Sequence, residues 1–222
     1  HNFLKNYFVR MIMNEIILVR HGETDYNTQG RLAGWSDVPL NKTGVNQAKT
    51  LASHLSNIRF DIIESSDLIR CLNFSKIISR ETGIKIAKQP LLRERDFGDH
   101  EGKTLQELGM PFESYEDMVR HFFECNCHRG QTVIEYGRQM HNFLDEISLK
   151  YSERRIIAST HGGAIMTALC TLFGEPLTFE NGLKYKHENG YVSYLRLDKS
   201  FKVIVSLINV QVSEVVNYLN KR

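Results

Sequence analysis

Long apolar runs are missing from this chain, and so is any strong imbalance of charge. None of its hydrophobic stretches approaches the roughly 20 residues that span a bilayer, which excludes a membrane helix. Lys and Arg number 28 against 26 Asp and Glu, for a formal net charge of +2. Such a balance makes no bulk demand for nucleic acid or an anionic membrane, so neither is expected as a partner. Any attraction for anions has to be local. Cysteine is scarce as well. Cys71, Cys125, Cys127 and Cys170 are too few to staple 222 residues, which points to a reducing compartment, the cytoplasm. Cys71 and Cys170 fall in expected helices with apolar neighbours and read as buried thiols. Residues 1–12 mix Phe, Tyr, Lys, Arg and Met with no apolar core and no small-residue cleavage site, so they read as an extension rather than a secretory signal, with Met11 or Met13 as the natural start. Repeats and low-complexity linkers are absent, so residues 13–222 are expected to form one domain. At 41% hydrophobic residues it can bury a sizeable core.

What the chain does contain is a set of short apolar strands that run into polar turns. Ile16-Ile17-Leu18-Val19 is a continuous apolar run, the pattern of a strand buried on both faces. Residues 60–64, 84–87 and 155–159 read as further strands, and 191–197 and 201–207 as a late pair. Between them the apolar spacing predicts helices over 44–57 (capped by Thr43), up to Ser79 (capped by Ser66 or Asp67), 113–125, up to Leu149 (capped by Thr132), 164–173 and 213–218. This alternation argues for an α/β protein, a three-layer α/β/α sandwich with a mainly parallel sheet. A mostly helical insertion near residues 103–150 would lie over one edge.

Two of the strands end alike. Leu18-Val19-Arg20-His21-Gly22 and Ala158-Ser159-Thr160-His161-Gly162-Gly163 each place a His beyond the carboxyl end, followed by Gly. Ligands of α/β proteins bind at that end of the sheet. Arg20 precedes one His, and Arg70 stands in the first turn of the helix after another strand. A planar guanidinium binds oxyanions bidentately, so two Arg and two His in one crevice make a trap for phosphate. His21 reads as a nucleophile that accepts a phosphoryl group.

The sequence Arg20-His21-Gly22-Glu23-Thr24 resembles the signature of the histidine phosphatase superfamily, the phosphoglycerate-mutase-like group. Further matches follow in order from Met13 to about Leu207: Asn27, Gly34-Trp35-Ser36-Asp37-Val38-Pro39-Leu40, Ser66-Asp67-Leu68-x-Arg70, Leu92-Arg93-Glu94-Arg95-Asp96-Phe97-Gly98, Glu101-Gly102 and His161-Gly162. The resemblance implies a phosphohistidine intermediate on His21, with Glu94 as general acid and then base, and His161 completing the catalytic set. It implies phosphate binding by Arg20, Arg70, His161 and Asn27, and no metal or other cofactor. Thr24, Gln29 and Arg31 are candidates for substrate contact or for ordering the loop. Asp96 and Glu101 are nearby carboxylates that compete with Glu94 for the acid's role.

The short spacing from Glu94 to His161 resembles the phosphatase branch rather than the mutases. The expected activity is metal-independent hydrolysis of a small phosphorylated metabolite. Phosphoglycerate mutase activity is the alternative, and a silent phosphate-binding module is a third. The oligomeric state is open, with a homodimer one option. Two departures from the family pattern stand out: His100 where an aromatic residue commonly precedes Glu-Gly, and Gln131-Thr132 in place of Glu-Ser. His121, Cys125, Cys127 and His128 carry metal-ligating groups but lack zinc-finger spacing. Read as helical, Cys125 and Cys127 would point to different faces, so the expectation here is a helix end with buried thiols.

Overall fold

Alternation along the first strand, β1 (Asn14–Arg20), sorts its side chains between two cores. Ile16 and Leu18 enter one and Ile17 and Val19 the other, because successive strand residues face opposite sides. The computed structural model describes residues 14–221, so the N-terminal extension read from residues 1–12 lies outside the described residues. After β1 come the one-turn α1 (Asp25–Thr28), α2 (Lys42–Leu55), β2 (Ile62–Ser65), α3 (Ile69–Thr82), β3 (Ile86–Lys88), α4 (Tyr115–Glu124), α5 (Val133–Lys150) and β4 (Arg155–Thr160). α6 (Gly162–Phe173), α7 (Phe179–Lys184), β5 (Val192–Leu197), β6 (Val203–Val210) and α8 (Val212–Asn220) complete the order. The strands form one sheet, β3-β2-β4-β1-β5-β6, in which β3, β2, β4 and β1 are parallel and β5 and β6 antiparallel.

Apolar residues of α2, α3 and α8 cover one face of the sheet, and those of α5 and α6 cover the other. This is the three-layer sandwich. Within residues 103–150, α5 belongs to the packed layer: Tyr136, Met140, Phe143 and Ile147 are fully buried. The segment before it, with α4, forms a hood. Among the described residues no helix is long and apolar enough to cross a membrane.

Several boundaries differ from the sequence reading, each for a local reason. Asn41, not Thr43, caps α2, since its Oδ1 accepts from the Gly44 N–H at 2.9 Å. Neither Ser66 nor Asp67 caps α3. The chain takes the extended cap conformation at Leu68, and the Ile69 N–H donates to Asp37 Oδ1 at 3.1 Å instead. Asp67 is held by Arg93 in a fork, with both contacts at 2.7 Å. α4 stops at Glu124, and Cys125 is already extended (φ −67°, ψ 132°). The two sulfurs of Cys125 and Cys127 are therefore on one side, where alternation places residues i and i+2, and the structure joins them as a disulfide. The expectation of two independent thiols at a helix end is corrected on that point. Cys71 and Cys170 are free and buried.

Candidate functional site

β1 feeds α2 on one face of the sheet and β4 feeds α6 on the other. The crevice between their carboxyl ends is a topological switch point. Register pairs Arg20 with Thr160, and the His21 N–H donates to the Thr160 carbonyl at 2.9 Å. His21 and His161 thus emerge side by side, with ring centroids 5.2 Å apart. Gly22 follows His21 because α2 packs on the turn. A Cβ there would lie 2.4 Å from the Gly44 carbonyl oxygen.

His21 Nδ1 lies 2.7 Å from the Gly22 carbonyl oxygen. A carbonyl only accepts, so Nδ1 carries the proton and the Nε2 lone pair is free. Burial, then Arg70 and Arg20, hold the His21 pKa well below its ordinary value, so the ring is neutral at neutral pH. His161 is neutral for the same reasons, burial first and then Arg70 and His21. Its Nδ1 accepts from Arg70 Nε at 3.1 Å, which leaves Nε2 to donate to Ser66 Oγ at 2.9 Å. Both of its nitrogens are engaged within the protein, and it does not line the cavity described below.

Arg70 is 1% exposed. Its Nη atoms donate to the carbonyls of Ser36 (2.9 Å) and Gly34 (2.7 Å), which fixes the plane of the guanidinium. Arg20 donates from Nη1 to the His187 carbonyl, while its buried Nε has no partner among the described residues. That Nε lies beside Gly162 at the start of α6, where the helix dipole also favours an anion. An unpaired buried N–H on a cation is costly unless a ligand completes it.

Glu94 is the third element of the site. Its Oε2 accepts from the Gly163 N–H at 3.1 Å, and Oε1 accepts from the Arg95 N–H at 3.0 Å and the Tyr136 hydroxyl at 3.3 Å. Burial raises its pKa above the ordinary carboxylate range against those hydrogen bonds and both arginines. A Cβ on Gly163 would lie 2.3 Å from Glu94 Oε1 and 2.2 Å from Phe122, so only glycine fits there. Of the competing carboxylates, Glu101 accepts from Trp35 N–H and Ser36 Oγ, and Asp96 accepts from Gly98 N–H. Neither lines the cavity; Glu94 does.

Arg20, His21, Asn27, Arg31, Arg70 and Glu94 line one cavity of about 310 Å³. Asn27 Oδ1 accepts from the Thr24 N–H at 3.0 Å, which leaves its amino group for a ligand. Thr24 is fully buried and caps α1. Gln29 is outside the cavity and accepts from Arg31 Nε. Arg31 is at the rim, but Glu107 takes it in a fork at 2.7 and 3.0 Å. Further walls come from the hood residues Phe112, Tyr115, Met118 and Phe122 and from the loop around Tyr26 and Leu32, with Glu23 and Glu188 as further carboxylates.

Two contributors escaped the sequence reading. Asn189 Nδ2 donates to the His21 carbonyl at 3.0 Å and to Asn27 Oδ1 at 3.3 Å, tying the backbone at His21 to the loop. Tyr136 holds Glu94 from α5. The Asn189-Gly190 turn before β5 was the one sequence signal for the first; the second had none.

Comparison with known proteins agrees with this geometry. A sequence profile of the histidine phosphatase superfamily (branch 1) matches residues 16–210. A probable phosphoglycerate mutase GpmB of Yersinia pestis (strain Pestoides F) is 34% identical over 177 residues, covering 79% of this chain and 82% of the relative. Among solved structures, a putative alpha-ribazole-5'-P phosphatase of Escherichia coli superposes with a TM-score of 0.75 at 23% identity, over 89% of this chain and 95% of that one. A mycobacterial glucosyl-3-phosphoglycerate phosphatase complexed with VO3 gives 0.76 at 23%, over 88% and 97%. The strand-end histidines, the arginines beside them and the match over most of the chain lead to one conclusion: this protein belongs to the histidine phosphatase superfamily, branch 1.

Proposed function

We propose that the chain hydrolyses phosphomonoesters of small metabolites through a phosphohistidine at His21. The observation that carries this reading is the state of the trio at the cavity floor: a neutral His21 with Nε2 free, an unpaired Arg20 N–H, and a carboxyl on Glu94 whose pKa is raised. In the first step the His21 Nε2 lone pair attacks phosphorus and the ester P–O bond breaks. Arg20, Arg70 and the Asn27 amino group hold the phosphoryl oxygens, and Glu94 gives its proton to the leaving oxygen. In the second step Glu94, now a carboxylate, takes a proton from water. The oxygen of that water attacks phosphorus, the N–P bond breaks, and inorganic phosphate leaves.

Hydrolysis is favoured over phosphoglycerate mutation by the upper walls. Phosphoglycerate carries a carboxylate as well as a phosphate, and the cavity offers no second free cation for it among the described residues. Arg31 is neutralised by Glu107, and Glu23 and Glu188 add negative charge. The identity of the 34% relative makes the mutase the reading to test against.

The test is turnover of p-nitrophenyl phosphate, then of a panel of phosphorylated metabolites that includes 3-phosphoglycerate. Phosphate release is expected, with a loss of roughly 1000-fold or more in His21→Ala. An acid-labile phosphoryl group should be trapped on His21. Undiminished activity in the variant rules out the nucleophile. Isomerisation of 3-phosphoglycerate without phosphate release rules out the hydrolase in favour of the mutase. Phosphate binding with no turnover of any ester leaves only the silent module.

A further inference from the structure

The hood is fastened at a point the phosphate chemistry does not use. His100 ends a 3-10 turn, Gly98–His100, shortly after Glu94. His121 lies in the last turn of α4, and Cys125 and Cys127 follow it. His100 Nδ1, His121 Nε2 and the two Sγ atoms all lie within 4.8 Å of one another. His100 Nδ1 is 3.3 Å from His121 Nε2 and 3.5 Å from Cys125 Sγ, and His121 Nε2 is 3.9 Å from Cys127 Sγ. His121 and Cys127 are buried, and His100 and Cys125 half-buried. His128, the fourth residue suggested by the sequence, is exposed and paired with Asp99 at 2.7 Å, so His100 takes its place.

We propose that these four side chains, with the thiols reduced, form a structural zinc site that pins the hood to the phosphate-binding segment. Two imidazole nitrogens and two thiolates are a closed donor set for Zn²⁺. Zinc bonds of ~2.0–2.1 Å to nitrogen and ~2.3 Å to sulfur give tetrahedral edges of about 3.3 Å between nitrogens and about 3.6 Å from nitrogen to sulfur. The nitrogen–nitrogen contact of 3.3 Å and the His100–Cys125 contact of 3.5 Å match those edges, and the His121–Cys127 contact of 3.9 Å is slightly longer. The two sulfurs, bonded to each other here, separate to about 3.8 Å once reduced and bound to zinc. Two thiolates and two neutral imidazoles also cancel the charge of the ion, which suits a site largely withdrawn from water.

A disulfide alone does not account for the arrangement, because a sulfur–sulfur bond needs no imidazoles. Here two of them, from separate segments, stack at 5.2 Å and turn a nitrogen each toward a sulfur. The cage is also built by contacts independent of the sulfurs. The fully buried Arg95 donates to the carbonyls of Phe122, Cys125 and Gln131, which fixes the turn that carries both cysteines. Gly98 packs so closely on the next stretch that a Cβ would lie 2.2 Å from the His128 carbonyl oxygen. Phe97 and Phe122, the neighbours of this cage, line the active cavity. The disulfide and the zinc site use the same electron pairs on sulfur, so they are mutually exclusive.

The test uses the full chain purified in a phosphine reductant without chelator. Metal content, competition with a chromophoric zinc chelator, and the absorption spectrum of the cobalt(II) form are compared with Cys127→Ser and His100→Phe, with circular dichroism to show that the variants fold. One zinc per chain is expected. Cobalt should give a thiolate charge-transfer band and the intense visible bands of a tetrahedral ion. Each variant should lose the tetrahedral spectrum and bind zinc roughly 100-fold or more weakly. Wild-type affinity no better than that of Cys127→Ser, or a weak octahedral cobalt spectrum, overturns the proposal. So does a Cys125–Cys127 bond that resists the reductant. None of these readouts depends on phosphatase activity.

Discussion

Burial raises the pKa of Glu94, which favours the protonated form that the proposed first step requires. Under the proposed mechanism, phosphorylation of His21 should slow as pH rises through that raised pKa, because the acid form of Glu94 is the one consumed. His21 works when neutral and its pKa is lowered, so the acid limb of the rate profile lies below 6.5, the ordinary histidine value. Glu94→Gln should lower kcat by about 10²–10⁴-fold and remove the alkaline limb while leaving the acid one. The same substitution should make the fold more stable above pH 5. A carboxyl with a raised folded pKa gives its stabilisation at low pH and loses it as pH rises. Urea unfolding of both proteins at pH 5 and pH 8 measures this. That Arg20, His21, Arg70 and Glu94 would meet at one cavity was legible in sequence because each stands by a strand end or within a spaced motif; His161 stands beside His21 but does not line the cavity. Tyr136 and Asn189 were not legible, since their roles arise only when distant segments pack together.

The elements are joined by a few polar contacts whose removal should be measurable. Glu64, in the middle of the sheet on β2, is buried, and its Oε1 accepts from Lys150 Nζ at 2.8 Å and from the Tyr151 hydroxyl. These partners tie the end of α5 to the sheet. Lys150→Met should cost about 1–3 kcal/mol in urea unfolding, because the buried Glu64 carboxylate loses its half-exposed cation and keeps only the Tyr151 hydroxyl, and the pair Glu64→Gln with Lys150→Met should recover most of it. At the other end of α5, Thr132 and Glu135 form a capping box. Thr132→Ala should cost about 1 kcal/mol by the same measurement, with KM unchanged. That cap was readable because its residues are adjacent. The cap of α3 was not, because Asp37 arrives from a loop far back in the chain. The extended backbone at Cys125 was likewise invisible to a helical reading of residues 113–125.

For the molecule as a whole, four histidines among the described residues are buried with lowered pKa values: His21, His121, His161 and His187. Their folded pKa values are lowered, and burial puts that of His187 at about 4. Their stabilisation is complete above pH 6.5 and is lost as pH falls toward the folded values. His187 alone accounts for on the order of 3 kcal/mol over that range. The melting temperature should therefore drop steeply between pH 7 and pH 5, and His187→Gln should flatten the drop. The layering was legible from the alternation of strands and helices and the late strand pair from its short turn, whereas the antiparallel docking of β5 on β1 joins segments far apart in the chain and no local pattern encodes it. β1 lies inside the sheet, bonded on one side to β4 and on the other to β5. Its amides can exchange with solvent deuterium only when the sheet itself opens. The hood from 103 to 131 is held at its ends and by Arg95 rather than by two flanking strands, so its amides are expected to exchange through smaller, local openings. On that expectation the strand that presents His21 keeps time with the slowest motion of the protein, and the walls of the cavity above it with a faster one.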